Sequence, residues 1–193
     1  PALETHNRII QDSCVENKGI EVKFEGDSFV LAFTSPLDAI RFAVKTQLDL
    51  QKHNWPQDIG NILVRIGMHT GEPLIIGREY FGSSVNKAKR ILDAAHGGQI
   101  LVSGETAELI KDNLPEISIP GMKPQKVSLL DLKFHRLKGL ERQEQLYQVN
   151  HPELPSKFPP PRCLGQVRHN LPIEMTSFID REDELKSVRK LLK

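Results

Sequence analysis

The sequence predicts an α+β domain in which helices cover one face of a mostly antiparallel sheet, and three observations carry that expectation. Segments with apolar residues at helical spacing alternate with short β-prone runs. A tight hairpin is signalled at Glu25-Gly26-Asp27, where glycine beside aspartate supplies the backbone freedom of a turn. The alternation stops at His151, where Pro152, Pro155, Pro159, Pro160 and Pro161 crowd together.

Residues 3–17 read as a helix with Leu3, Ile10 and Cys14 on one face, closed by Lys18-Gly19. Strands at 20–23 and 28–33 flank the hairpin tip. Ser35-Pro36 opens the next helix with a capping hydroxyl and a proline in the first turn. Its apolar face is Leu37, Ile40, Val44 and Leu48, and it ends before Trp55-Pro56. A strand follows over 62–68, then a glycine-containing stretch and a helix over 83–95 that stops at Gly97-Gly98. Ile100-Leu101-Val102 reads as a short buried strand, and Ser103 caps a helix running to about Asn113. Residues 114–125 are loop-like, and 127–137 with 145–149 read as a closing strand pair. The prolines after 151 predict a stiff, extended linker. A further helix is predicted to open within 177–193.

Composition excludes several classes of function. In 193 residues, 26 Lys and Arg offset 25 Asp and Glu, so no global basic field points to nucleic acid or a membrane surface. No apolar run approaches the roughly 20 residues of a membrane span. Cys14 and Cys163 fit no metal-ligand spacing and read as free thiols of a reducing compartment, so a cytoplasmic location is expected.

Three stretches place polar groups where folding alone does not ask for them. In Lys23-Phe24-Glu25-Gly26-Asp27, a carboxylate at a hairpin tip beside glycine can approach a phosphate-bound Mg²⁺, or can simply support the turn. In Arg65-Ile66-Gly67-Met68-His69-Thr70-Gly71, a strand enters a glycine turn, and His69 reads as a packed residue rather than a base or ligand. In the segment from Glu79 to Leu92, Asn86 and Arg90 are one helical turn apart. Arg90 there projects a donor fork suited to phosphate, beside the apolar stripe Val85, Ala88, Ile91 and Leu92.

Taken together, the order and spacing of these stretches resemble the class III nucleotidyl cyclases, the adenylate and guanylate cyclase catalytic domain. The family's Lys-x-x-Gly-Asp is matched by Lys23 to Asp27, its Arg-Ile-Gly-x-His-Thr-Gly by Arg65 to Gly71. Its Asp-x-x-Gly-x-x-Val-Asn-x-Ala-x-Arg is matched from Glu79 to Arg90, and Gly97-Gly98-Gln99-Ile100 and Leu137-Lys138-Gly139 agree with later landmarks. The resemblance covers residues 2–150.

The resemblance implies a ferredoxin-like βαββαβ sandwich that works as a homodimer and converts ATP to cyclic AMP and pyrophosphate. It also implies two Mg²⁺ or Mn²⁺ ions held by two aspartates. Asp27 matches the second of these. Lys23 and Glu79 match the purine-reading pair, with ATP favoured over GTP, although the family's usual residue at Glu79 is aspartate. Asn86 matches the ribose-orienting residue, Arg90 the residue that stabilises charge on the α-phosphate, and Lys138 a triphosphate contact. The family's first strand, Phe-Thr-Asp-Ile-x-Gly-Ser, carries the other metal aspartate and precedes the first helix; these 193 residues start at that helix, so the sandwich is expected to lack it. Lys89 stands where a small residue is usual.

The expected organisation is therefore a cyclase-homology domain over 1–150, a proline-rich linker over 151–169 and the start of a second domain over 170–193. The segment from Asn170 to Glu182 resembles the entry to STAND/AAA-type NTPase domains, which makes such a module the expected neighbour. The competing reading is a catalytically inactive cyclase-homology module that binds nucleotide or dimerises to regulate the attached NTPase. An RNA-binding reading is poor, because no aromatic pair flanks a basic strand surface.

Overall fold

A computed structural model describes residues 2–77, 79–118 and 123–163; the expected second domain lies outside them. The first helix, α1 (Ala2–Glu16), turns its buried side toward the core with His6, Ile10, Ser13 and Cys14. Leu3, expected on that face, is 51% exposed. The helix ends in paired bonds from Gly19 N to Cys14 O (2.8 Å) and from Lys18 N to Val15 O (3.1 Å). This is the Schellman pattern, and its left-handed residue is Lys18 (φ 59), not Gly19. Glycine is required at 19 for another reason: a Cβ there would lie 2.6 Å from both Cys14 Sγ and the Phe33 ring.

The hairpin forms as expected from β1 (Ile20–Glu25) and β2 (Ser28–Ala32), with Glu25 opposite Ser28. Gly26, at φ 65, takes the first central position, the placement a type II′ turn asks of glycine. Phe24 and Phe29 stack across the hairpin with ring centroids 4.6 Å apart, and Asn7 of α1 donates to Gly26 O. The tip is thus tied back to the first helix.

After α2 (Pro36–Lys52), the principal sheet begins. It has four strands in the order β3, β6, β10, β9: β3 (Ile66–Met68), β6 (Ile100–Ser103), β9 (Ser128–His135) and β10 (Glu144–Asn150). Its β3–β6 pair is parallel and the other two are antiparallel. The strand predicted over 62–68 keeps its ladder only from Ile66; upstream, Val64 O is taken instead by Gly98 N and Gln47 Nε2, and Leu63 is 63% exposed. Two short antiparallel pairs occupy segments without predicted strands: β4 (Leu74–Ile76) with β5 (Glu79–Phe81), and β7 (Glu116–Ile117) with β8 (Gln125–Lys126).

All four residues of β6 are buried, because the sheet is covered on both faces rather than one. Ile100 and Val102 join a core with Ile40, Val44 and Leu48 of α2 and with Ala107 and Ile110 of α4 (Gly104–Ile110). Leu101 points the other way, to Ile91 and Ala94 of α3 (Ser83–Ala94) and to Leu137 and Leu146.

The predicted cap of α4 is present: Ser103 Oγ accepts from Thr106 N, and it also bonds His69 Nδ1 at 2.9 Å. Ser103→Ala is expected to cost about 1–2 kcal/mol of stability by removing that cap. A urea midpoint that does not move would contradict the assignment.

Residues 151–163 form neither helix nor strand and lie against the domain. Leu154 and Pro161 are buried, Gln148 Nε2 donates to Ser156 O, and Gln51 Nε2 donates to Glu153 O. His96 Nε2 bonds Pro160 O, and Arg162 N donates to Ala94 O at the end of α3. Both cysteines are free, and burial raises each thiol above its ordinary range. Among the described residues, no helix is long and apolar enough to cross a membrane.

Candidate functional site

Lys23 sits on exposed β1, and its Nζ is 2.9 Å from Glu25, two residues along the same strand face. The Glu25 carboxylate raises the Lys23 ammonium above its usual range, and Glu79, at the start of β5, adds to the effect. The structure therefore brings Lys23 and Glu79 within electrostatic reach, as β1 packs beside β5. Glu25 was not singled out by the sequence, although a carboxylate two residues after a lysine in a strand is the signal for such a pair.

The β5 strand leads directly into α3. Gly82, at φ 107, makes the entry without a side-chain cap. Asn86 lies exposed in the first half of the helix; its backbone N donates to Gly82 O, and its side-chain amide has no partner among the described residues. One turn on, Arg90 is half-buried and held 3.4 Å from Asp93, an i,i+3 pair on the helix face. Its guanidinium lies over Gly139: a Cβ there would meet Arg90 Nη2 at 3.6 Å. Buried Leu137 anchors that turn, and Leu140 N closes it onto Leu137 O, which leaves Lys138 exposed beside Arg90. Lys89, the departure noted above, is near enough to Glu25 to lower its carboxyl, after the larger effect of Lys23. Hairpin and helix thus face one another through charge.

Asp27 is exposed at the hairpin tip, and no hydrogen bond or ion pair joins it to the other candidates. Among the described residues, no group of three or more metal-ligating side chains gathers.

The Arg65 to Gly71 stretch is structural in this fold. Gly67 lets α3 press on β3, since a Cβ would overlap Leu92 N and lie 2.5 Å from Leu92 Cα. Thr70 Oγ1 meets Thr106 Oγ1 at 3.0 Å, and the His69 ring, 7% exposed, packs on the cap of α4. Burial, and next the Lys87 ammonium, hold the His69 pKa below its ordinary 6.5.

The sign of the pH dependence follows. The unfolded chain takes up a proton near pH 6.5 while folded His69 stays neutral, so its contribution is complete above that value and is lost as pH falls below it. Burial depresses His151 in the same direction. Urea midpoints taken from about pH 8 to about pH 5 should fall, and His69→Gln should flatten the acid side. An unchanged slope would refute the assignment to His69.

Comparison with known proteins shows the family of the fold. The sequence model of the adenylate and guanylate cyclase catalytic domain matches residues 1–149. An uncharacterized protein of Mycobacterium tuberculosis is 37% identical over 95% of this chain, which spans 60% of that relative's length. The adenylate cyclase of Schizosaccharomyces pombe is 28% identical over 77% of this chain and 11% of its own. A structure of Trypanosoma brucei adenylate cyclase in its monomeric state superposes with a TM-score of 0.69 at 22% identity, covering 84% of each chain. With a match running from the first helix through β10, the chain belongs to the adenylate and guanylate cyclase catalytic-domain family.

Proposed function

We propose that this domain takes part in converting ATP to cyclic AMP and pyrophosphate. The observation that carries the reading is Arg90, a guanidinium set over a glycine turn, where a Cβ on Gly139 would touch Nη2, Nε and Cζ. In the reaction, the ribose 3′-oxygen forms a bond to the α-phosphorus as the bond from that phosphorus to the bridging oxygen of pyrophosphate breaks, and the hydroxyl proton passes to water. Arg90 donates to the α-phosphate oxygens as their charge grows. Lys23 donates to a purine ring acceptor, and Glu79 accepts from the adenine amino group, which favours ATP over GTP. Asn86 orients the ribose, and Lys138 meets the triphosphate.

The family generally uses divalent metals. Asp27, exposed and without a cationic partner among the described residues, fits one ligand of such an ion. Among the described residues no group of three or more metal-ligating side chains forms around it, so Asp27 accounts for one of the two aspartates the family uses. A bound Mg²⁺ or Mn²⁺ supplies Lewis-acid charge neutralisation at the phosphates.

A second reading is a nucleotide-binding or dimerising module that regulates an attached NTPase without catalysis. The test is cyclic AMP formation from Mn²⁺-ATP by a polypeptide that includes the family's first strand, alongside Asp27→Ala. Product that depends on Asp27 supports the enzyme. Nucleotide binding without product supports the module.

A further inference from the structure

The N-terminal half of α3 is held in an unusual way. The helix has no side-chain cap and no acidic residue in its first turn. Beyond an exposed bond from Ser84 Oγ to Glu72 O, its fixed point is Lys87, whose Nζ lies 2.5 Å from Glu105 of α4 and 2.5 Å from Glu144 of β10. The Lys87 and Glu144 side chains are only 15% and 16% exposed, so that pair is largely withdrawn from water, while Glu105 flanks it at 53% exposed. Breaking such a pair from one side strands a buried charge, which makes the arrangement rigid. Glu105 lies in the first turn of α4, where a carboxylate is favoured by the helix dipole. His69, neutral and buried, packs 3.8 Å from Glu105 and closes the cluster.

Lys87 directly follows Asn86, about 100° away around α3, and precedes Arg90 by three positions, which puts it beside Arg90 on neighbouring faces of the helix. A helix can rotate about its axis or slide along it, and apolar packing at Ile91 and Ala94 restrains mainly its C-terminal half. We propose that Lys87 is a positioning residue: by pinning α3 to α4 and β10, it sets the rotation at which Asn86 and Arg90 are presented to the nucleotide. Lys87 acts through those two residues and touches no substrate. The proposal rests on the cyclase reading above for its kinetic consequence, but not for the pinning itself.

The experiment compares Lys87→Met, Lys87→Arg and the unchanged protein by two measurements. The first is amide hydrogen exchange across 83–94 without nucleotide. Loss of the pin should raise exchange in 83–90 more than in 91–94 for Lys87→Met, with Lys87→Arg close to the unchanged protein. The second is cyclic AMP formation from Mn²⁺-ATP by the polypeptide that includes the family's first strand, well below the melting temperature of each variant. There Lys87→Met should lower kcat by on the order of 10²-fold with KM for ATP nearly unchanged, as expected of misplaced groups, and Lys87→Arg should recover most of the loss. Unchanged exchange in 83–90 for Lys87→Met overturns the pinning. Raised exchange with unchanged kcat overturns the positioning role. If that polypeptide with Lys87 unchanged makes no product, the cyclase reading fails, while the exchange result still decides the pin.

Discussion

Replacing Arg90 by alanine is expected to lower cyclic AMP formation by about 10²–10³-fold, the range seen when one donor to a developing oxyanion is removed. The expectation rests on where the side chain sits. Asp93 holds the guanidinium from one side and the Gly139 turn backs it from the other, so its donors are oriented before substrate arrives. A group of this kind acts on charge that grows as the α-phosphorus is attacked, so the loss should fall on kcat more than on KM. Stability should hardly change, because the Arg90–Asp93 pair is partly exposed and such pairs contribute little. Single-turnover assays of Arg90→Ala, alongside its melting curve, check both statements. A variant that keeps its activity removes Arg90 from the chemistry.

The second large effect concerns Gly67. Gly67→Ala is expected to destabilise the domain by about 3 kcal/mol or more, the upper end of what overpacking costs, out of a total that is typically about 5–15 kcal/mol. The added methyl would run into the backbone of Leu92 and come within 2.9 Å of the Ile91 carbonyl carbon. Neither atom can turn away as a side chain could. The strand β3 and α3 would have to separate, opening the packing of Ile91, which is fully buried. Gly71→Ala is the milder comparison, since its methyl would meet Ser84 Oγ at 2.6 Å, which can change rotamer, and only tight side-chain contacts at His69 Nε2 (3.1 Å) and Ser84 Cβ (3.2 Å), with no backbone in the way. Thermal unfolding of both variants decides the point. A Gly67→Ala protein as stable as Gly71→Ala would mean that α3 sits further from β3.

These two glycines also show what the sequence makes legible. Local chemistry was readable: the Gly26-Asp27 tip, proline at the start of α2, the Ser103 cap, and the spacing of Asn86 and Arg90 each follow from neighbouring residues. The β4–β5 hairpin escaped because Leu74, Ile75 and Ile76 are a continuous apolar run, all exposed, without the alternation that marks a half-buried strand. The left-handed Lys18 escaped because glycine stood next to it and is the better former of that conformation. Two-sided coverage of the sheet was implicit in Ile100-Leu101-Val102, a run with no polar face to offer solvent. Within the site, the partners Asp93 and Glu25 lie close in sequence and follow simple spacing rules. The pairing of Lys87 with Glu144 could not be read, because only the folded sheet brings β10 to α3.

The segment over 151–163 has a mechanical consequence. Its attachments come in sequence, at Arg162 to Ala94, Pro160 to His96, Ser156 to Gln148 and Glu153 to Gln51. A load applied at Cys163 therefore peels them one at a time instead of shearing them together. The first bond to bear tension belongs to the last turn of α3, the helix that carries Arg90. A pull too weak to unfold the domain would reach that helix before α2.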